Sequence, residues 1–129
     1  MRKRIIATDN TLKDIIYEEI EKYGYKADLN HIDVSNVKFM NCMFDNSNFN
    51  GDISKWDVSN VKVMYGMFDN SNFNGDISKW DVSNVNYMGW MFYNSNFTGK
   101  LKINGNWKHW EDGKEIHEDK IIANKLKVI

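Results

Sequence analysis

Side chains that could perform acid–base, nucleophilic or metal chemistry are few in this chain. The single cysteine, Cys42, has no partner for an internal disulfide, and none of the three histidines lies in a metal-ligand or nucleophile motif: His31, His109 and His117. We expect a solvated side chain at His31, which stands where lysines stand further along the chain. Because an isolated histidine seldom forms a catalytic site without a convergent base or nucleophile, we expect no catalytic residue and no cofactor.

An asparagine-rich loop imitates a calcium-binding loop. From Asn46 it carries side-chain oxygens at the first, third and fifth positions, a glycine at the sixth and Asp57 at the twelfth, and the same spacing recurs from Asn70 to Asp81. Calcium loops need several carboxylates, whereas the first three oxygens here belong to neutral amides. We therefore predict a structural asparagine ladder and no metal site, with a calcium-dependent structural module as an alternative.

These residues belong to a unit of 24 residues that is written three times. The copies span Asp33–Trp56, Asp57–Trp80 and, before the pattern decays, Asp81–Gly99. The end of the unit recurs four times, at residues 28–32, 52–56, 76–80 and 100–104. One copy has too little apolar surface to offset the conformational entropy of its own backbone. The copies must therefore stack on one another.

Each unit combines an extended stretch with a more compact one. The β-prone run around Ile53 to Val58 predicts a short extended rung. After Ser59 and Asn60, which are good helix N-caps, apolar residues at offsets 0, 3, 6 and 7 predict one or two helical turns: Val61, Met64, Met67 and Phe68. The segment from Asn70 to Asn72 then turns the chain.

Both ends of a repeat stack need covers. At the N-terminal end, residues 9–24 predict an amphipathic helix that stops at Gly24. Its apolar face comprises Leu12, Ile15, Ile16, Ile20 and Tyr23. We divide the chain, read as one domain of residues 1–129, into an N-terminal cap (1–27), three repeats with a leading half-rung (28–99) and a C-terminal cap (100–129).

The C-terminal cap is predicted to be rich in β-structure. Asn104-Gly105 and Asp112-Gly113 are hairpin-turn sequences. Trp107 and Trp110 are expected to seal the last rung, with further apolar residues behind them: Ile121, Ile122, Leu126 and Val128.

A longer string identifies a resemblance. F-N-G-D-I-S-x-W-D-V-S-N-V-x-x-M-x-x-M-F runs from Phe49 to Phe68 and again from Phe73 to Phe92, and it resembles the BspA-like bacterial leucine-rich-repeat family. It looks most like the Asn/Asp-rich branch found in mycoplasma lipoproteins. The resemblance implies a right-handed solenoid. Together with the two caps predicted from the residues, it leads us to expect an α+β fold, a short right-handed leucine-rich-repeat-like solenoid with an N-terminal helix cap and a β-rich C-terminal cap. It also implies protein–protein interaction, and the family offers no catalytic residues to transfer.

The net charge and the N-terminal sequence indicate where in the cell the protein is expected to be. The formal net charge of −1 gives no overall field for nucleic acid or an anionic membrane. The apolar run from Ile5 to Ala7 is too short for a signal peptide. We expect a cytoplasmic protein of a bacterial cell or a phage-infected host, with a cell-surface location as the alternative. The oligomeric state stays open.

Positions that differ between the copies are the best candidates for binding, because the fold does not fix them. On the helical interpretation they point outward, and the third copy gains three aromatics there. The predicted partner-binding residues are Phe39, Asn41, Val63, Tyr65, Tyr87, Trp90, Tyr93, Asp45 and Asp69. Exposed Trp and Tyr are typical of binding hot spots. The alternative is that the third-copy aromatics pack under the C-terminal cap.

The repeats are acidic, and this suggests a kind of partner. Residues 27–99 hold eight aspartates and four lysines, whereas residues 100–129 have a net charge of +2. An aspartate ladder could face the basic groove of a nucleic-acid-binding protein, although charge runs are more often simply solvated.

These observations favour a non-enzymatic protein-binding module. We expect a stand-alone inhibitor or adaptor of a cytosolic protein, for example a phage- or mobile-element-borne counter-defence protein that inhibits a nuclease. The alternative is a fragment or relative of a bacterial surface adhesin or lipoprotein.

Overall fold

The computed structural model describes residues 2–117 of the chain. The predicted apolar positions at residues 121, 122, 126 and 128 lie outside the described residues. The elements, in chain order, are β1 (Ile5–Ile6), α1 (Leu12–Tyr23), β2 (Ile32–Asp33), β3 (Gly99–Ile103), β4 (Asn106–Glu111) and β5 (Lys114–Ile116). β1 and β2 pair in parallel, and β3, β4 and β5 form an antiparallel sheet in that order. No helix among residues 2–117 has the length and apolarity needed to cross a bilayer.

The predicted N-terminal helix is confirmed as α1. Leu12 and Ile16 are buried in the core, and the amide of Gly24 ends the helix by donating to the carbonyl of Ile20 at 2.7 Å. Tyr23 departs from the prediction because its side chain is 50% exposed. The guanidinium of Arg2 lies 3.7 Å from the centre of that ring, so Tyr23 contacts the N-terminal strand region rather than the core.

The prediction of a solvated His31 is wrong. Its Nε2 lies 2.8 Å from Oε1 of Glu19, and both side chains are at least nine-tenths buried. Glu19 belongs to α1, so the helix covers the rung position that is left open in the later copies, where Lys55 and Lys79 are exposed. The other oxygen of Glu19, Oε2, is buried without a hydrogen bond among the described residues.

The repeats contain no helix within the described residues, and this corrects the prediction for Val61 to Phe68. The segment forms consecutive turns, such as the bond from the amide of Met67 to the carbonyl of Met64 at 3.2 Å. Alternate amides instead donate to the next copy, as Met64 does to Tyr87 at 2.8 Å. An amide that bonds to a neighbouring copy cannot also close a regular helical turn.

The backbone also leaves the helical region twice in each copy. The φ angle is +57° at Cys42, +61° at Gly66 and +61° at Trp90, which are equivalent positions. It is also positive at the equivalent asparagines Asn46, Asn70 and Asn94. Left-handed conformations interrupt an α-helix, and asparagine tolerates them better than most residues.

Successive copies stack in register, and their aromatic side chains form columns. In one column, the ring centre of Phe68 lies 5.6 Å from that of Phe44 and 5.7 Å from that of Phe92. In a second column, the ring centre of Phe73 lies 6.1 Å from that of Phe49 and 6.4 Å from that of Phe97. The indole of Trp80 stacks on that of Trp56 at 6.5 Å, and each indole donates to a carbonyl of the preceding rung. The columns form the core. The right-handed, leucine-rich-repeat-like class of this stack stays a prediction.

Aspartates of the repeat fix the rung turns through the serine two residues later. Oδ1 of Asp76 accepts bonds from the amide and hydroxyl of Ser78 at 2.9 and 2.7 Å. These bonds lower the pKa of Asp76, and the equivalent serines lower the pKa of Asp52 and Asp81. The pKa of Asp33 falls to about 2, first through its bond from Ser35 and then through Arg4.

Acid should therefore destabilise the stack. A carboxylate whose pKa is lower in the folded chain stabilises it above the unfolded value of about 4. That contribution is lost as pH falls toward about 2, the folded pKa of Asp33. We expect the thermal midpoint to be nearly constant from about pH 6 to 5 and to decline below about pH 4. Asp76→Asn should flatten the decline, and an unchanged midpoint down to about pH 2 would contradict the account.

The C-terminal cap contains both predicted hairpins. The turns at Asn104-Gly105 and Asp112-Gly113 have positive φ at both residues, as type I′ turns require. Trp110 is half-buried and packs on Phe92 and Phe97, with ring centres 4.9 and 6.2 Å away.

Trp107 does not seal the rung. It is 46% exposed, beneath the ammonium group of Lys100. Residues three apart in a strand lie on opposite faces, so Trp107 and Trp110 cannot both face the core.

Candidate partner-binding surface

Five exposed aromatic side chains lie on the turn segments of the repeats. Their exposed fractions range from 47% for Tyr65 to 65% for Tyr87. We call this set the aromatic face: Phe39, Tyr65, Tyr87, Trp90 and Tyr93. The sequence predicted all five as outward-facing. The predicted helix is wrong, but the exposure is confirmed, because the turns leave the same positions outside the core.

The ladder between copies brings these residues together. Val63 forms parallel bridges with both Phe39 and Tyr87, and bridged residues on adjacent parallel strands are about 4.8 Å apart. Val63 itself is half-buried in the middle of this column. A β-carbon added at Gly89 would lie 3.4 Å from the ring of Tyr65, so Tyr65 extends over the third copy. The aromatic face therefore extends over all three copies.

Trp90 and Tyr93 form a tilted pair at the end of the face. Their ring centres are 4.4 Å apart with an interplanar angle of 57°, and the side chains are 55% and 56% exposed. Within residues 2–117 the cap sheet does not cover them, and Trp110 packs on Phe92 instead. In the described residues, these aromatics therefore do not pack under the cap, which was the alternative prediction.

Sequence reasoning missed the backbone conformation of Trp90. Its φ of +61° lies in the left-handed region that Gly66 occupies in the second copy. A bulky residue there is strained. The signal in the sequence was the glycine at position 66, because a position where one copy uses glycine can require a positive φ.

The remaining predicted binding residues border the aromatic face. Asn41 is exposed, whereas the aspartates Asp45 and Asp69 are half-buried. Cys42 is half-buried beside them, and burial, followed by the charge of Asp45, raises the pKa of its thiol. A raised pKa keeps the sulfur in the unreactive thiol form at neutral pH. Nothing in this region forms a nucleophile–base pair.

The asparagine ladder is confirmed. Oδ1 of Asn46 accepts from Nδ2 of Asn70 at 2.6 Å, and Oδ1 of Asn70 accepts from Nδ2 of Asn94 at 2.8 Å. Asn48 accepts in the same way from Asn72 at 2.9 Å. These are the oxygens that a calcium loop would use. Among the described residues, no three side chains of His, Cys, Asp or Glu are placed to hold a metal.

Calcium should therefore leave the stability unchanged. We expect the same thermal midpoint in excess chelator and in millimolar calcium, because the amide oxygens already accept hydrogen bonds from the next copy. As a control, Asn70→Ala removes two ladder bonds and should lower the stability by about 1–3 kcal/mol in both conditions. A midpoint that rises with calcium would revive the metal-dependent alternative.

One comparison with known proteins gives a match. A family model described as "Mycoplasma protein of unknown function, DUF285" matches residues 12–125. No curated protein and no solved structure gives a significant match. The match covers α1, all three copies and most of the C-terminal cap, and it confirms the resemblance to mycoplasma-type repeats. The chain therefore belongs to the DUF285 family of mycoplasma proteins.

Proposed function

We propose that the chain is a non-catalytic protein-binding module whose contact surface is the aromatic face. The observation that carries the proposal is the exposure of five neighbouring aromatic side chains, each at least 47% exposed. Large amphipathic rings dominate the energetics of protein interfaces. A contiguous exposed apolar patch on a soluble domain commonly marks an interaction site.

The scaffold supports this role. Each residue of the aromatic face lies on a turn segment that is bonded to the next or the preceding copy, as in the bond from the amide of Cys42 to the carbonyl of Tyr65 at 2.9 Å. A rigid surface loses little conformational entropy on binding. We propose that the stack is a short right-handed solenoid of the leucine-rich-repeat type, whose parallel bridges and repeated core columns agree with that architecture.

Charge suggests the kind of partner. Residues 27–99 hold eight aspartates against four lysines, and Asp45 and Asp69 lie next to the aromatic face. A partner with a basic surface fits this pattern, because charge complementarity accelerates association and selects partners. We propose a stand-alone inhibitor or adaptor of a cytosolic protein with a nucleic-acid-binding groove, including a phage- or mobile-element-borne nuclease inhibitor.

A second candidate is a relative or fragment of a surface adhesin or lipoprotein. The resemblance of the repeats to those of mycoplasma lipoproteins favours it. The same face would then contact a protein outside the cell. The two candidates differ in where the partner is found, so capture from bacterial lysate and from host-cell membranes separates them.

The aromatic face can be tested by affinity capture with single variants. Tyr87→Ala and Trp90→Ala should each weaken capture of a specific partner about tenfold or more, as hot-spot truncations do. Tyr25→Ala is the matched control, since Tyr25 is 53% exposed and its carbonyl bonds to Asn50, away from the face. Circular dichroism should show that every variant is folded. Capture that is equally strong with all three variants would contradict the proposal.

A further inference from the structure

In the turn segments, most amide bonds between the copies run from each copy to the next, whereas Lys62 and Asn86 donate back to the preceding copy. Four amides of the first copy donate to the second, and four of the second donate to the third: Met64, Gly66, Phe68 and Asn70 bond to the carbonyls of Tyr87, Gly89, Met91 and Tyr93 at 2.8–2.9 Å. The equivalent amides of the third copy would donate to a fourth copy. They belong to Met88, Trp90, Phe92 and Asn94, and none of them bonds to a described residue.

The two ends of the stack differ in whether the described residues supply acceptors to the amides at the edge. At the first copy, Oδ1 of Asp9 accepts bonds from the amides of Lys38 and Phe39 at 2.8 and 3.2 Å. The N-terminal segment therefore closes part of that edge. At the third copy, the turn of β4 and β5 approaches residues 92–95 closely, since a β-carbon at Gly113 would lie 2.7 Å from the carbonyl of Phe92. The described part of the cap supplies no acceptor to the four amides.

A groove of about 580 Å³ runs between this edge and the cap sheet. Its apolar floor consists of side chains that are only partly buried: Val85, Met88, Ile103 and Trp110. The residues equivalent to the first two, Val61 and Met64, are fully buried by the next copy. Among residues 2–117, this part of the third copy is more exposed than the equivalent part of the second copy, which the third copy covers.

The rim of the groove is where the third copy departs from the repeat. Trp90 and Tyr93 line it on one side, and they replace Gly66 and Asp69 of the second copy. Trp90 keeps the left-handed conformation that suits glycine. Cys42 of the first copy has the same conformation, so the repeat imposes it, and the feature particular to the third copy is the pair of exposed aromatic side chains at the rim.

The opposite wall is electrically balanced. Nζ of Lys108 lies 3.4 Å from Oε1 of Glu115, and both side chains are about half exposed. The groove therefore favours an uncharged segment with apolar side chains over a strongly basic or acidic one.

We propose that the groove binds a segment of the partner protein that follows the turn path of residues 62–70 beside the first copy and continues the ladder along residues 88–94. Residues 62–70 present alternate carbonyl groups to the first copy on such a path, as the four amides of the third copy require. The segment's apolar side chains lie on Val85 and Met88, and the rings of Trp90 and Tyr93 flank it. The inference rests on the proposed protein-binding function and specifies how that binding occurs.

Hydrogen exchange of the full chain tests the free edge. The amides of Met88, Trp90 and Phe92 should exchange much faster than their equivalents at Met64, Gly66 and Phe68, which are bonded between copies. Equal protection in the free chain would show that the chain's own residues cover the edge, and it would overturn the proposal.

A synthetic peptide then tests occupancy. The probe is a blocked peptide with the sequence KVMYGMFDN, residues 62–70, which fill the equivalent place beside the first copy. It should slow the exchange of the four third-copy amides about tenfold or more at saturation, while a scrambled peptide should not. No added protection at saturating peptide would overturn the proposal.

A variant pair separates this inference from the proposed function. Trp90→Gly should weaken peptide binding about tenfold without unfolding the chain, since glycine suits the left-handed position. Trp107→Ala should leave peptide binding unchanged, because Trp107 does not line the groove. If aromatic-face variants abolish partner capture while the partner leaves the edge amides unprotected, the proposed function stands and the inferred binding in the groove fails.

Discussion

Phe68→Ala is expected to lower the free energy of unfolding by about 3–5 kcal/mol, as truncation of a buried phenylalanine does. The Phe68 ring is fully buried at the centre of the stack. Its centre lies 5.6 Å from that of Phe44, 4.5 Å from that of Phe73 and 5.7 Å from that of Phe92. Removing it opens a cavity that contacts all three copies. Domains have only about 5–15 kcal/mol of stability, so the loss is a large fraction of the total.

Urea denaturation measures this loss, and the same substitution elsewhere provides the control. Phe39→Ala removes an equal ring that is 49% exposed on the aromatic face, and it should change the stability by less than about 1 kcal/mol. Comparable losses in the two variants would mean that the stacked column is not the core of the molecule.

Gly51→Ala is expected to have the second largest effect, about 3 kcal/mol or more. A β-carbon at Gly51 would lie 1.9 Å from the carbonyl oxygen of Ala27, which is a backbone atom that cannot rotate away. The rungs at Asp28 and Asp52 would have to separate, although they form a parallel bridge and the amide of Leu29 donates to Asp52 at 2.9 Å. The substitution should therefore detach the N-terminal cap from the repeats.

Gly89→Ala is the matched control for this prediction. A β-carbon at Gly89 meets nothing closer than 3.4 Å, in the ring of Tyr65, and the residue does not have a positive φ. The stability should change by no more than about 0.5 kcal/mol. Thermal melts compare the stability of the two variants with that of the unsubstituted chain. A Gly51→Ala chain as stable as the Gly89→Ala chain would contradict the close approach of the two rungs.

The architecture could be predicted from the sequence where the pattern allowed a single interpretation. The period fixes which residues stack, so the columns of Phe44, Phe68 and Phe92 follow from it directly. The compact half of each copy allowed two interpretations. Apolar residues at offsets 0, 3, 6 and 7 suit a helix, and they also suit consecutive turns in which alternate amides bond to the next copy. Periodicity alone does not separate these, because the deciding bonds join different copies.

The candidate surface was predictable in part. Variation between copies identified Tyr87, Trp90 and Tyr93 without any knowledge of the backbone, because residues outside the core are free to differ. The groove beside them was not predictable. It depends on how the cap sheet lies against the third copy. The sequence predicted that Trp110 covers the last rung, but it did not indicate the close approach of Gly113 to residues 92–95. The pairing of His31 with Glu19 was hidden for a similar reason, since it depends on where α1 packs.

The uniform bonding between copies has a consequence for how such a protein can change. The asparagine ladder and the four-amide ladder repeat with the same period of 24 residues, so duplicating one whole unit would lengthen the molecule by about 4.8 Å without altering either cap. A one-residue insertion in a turn would instead break both ladders at once. Gene-level gain or loss of whole units thus gives a graded way to widen or narrow the contact surface, while the folding of each end is left intact.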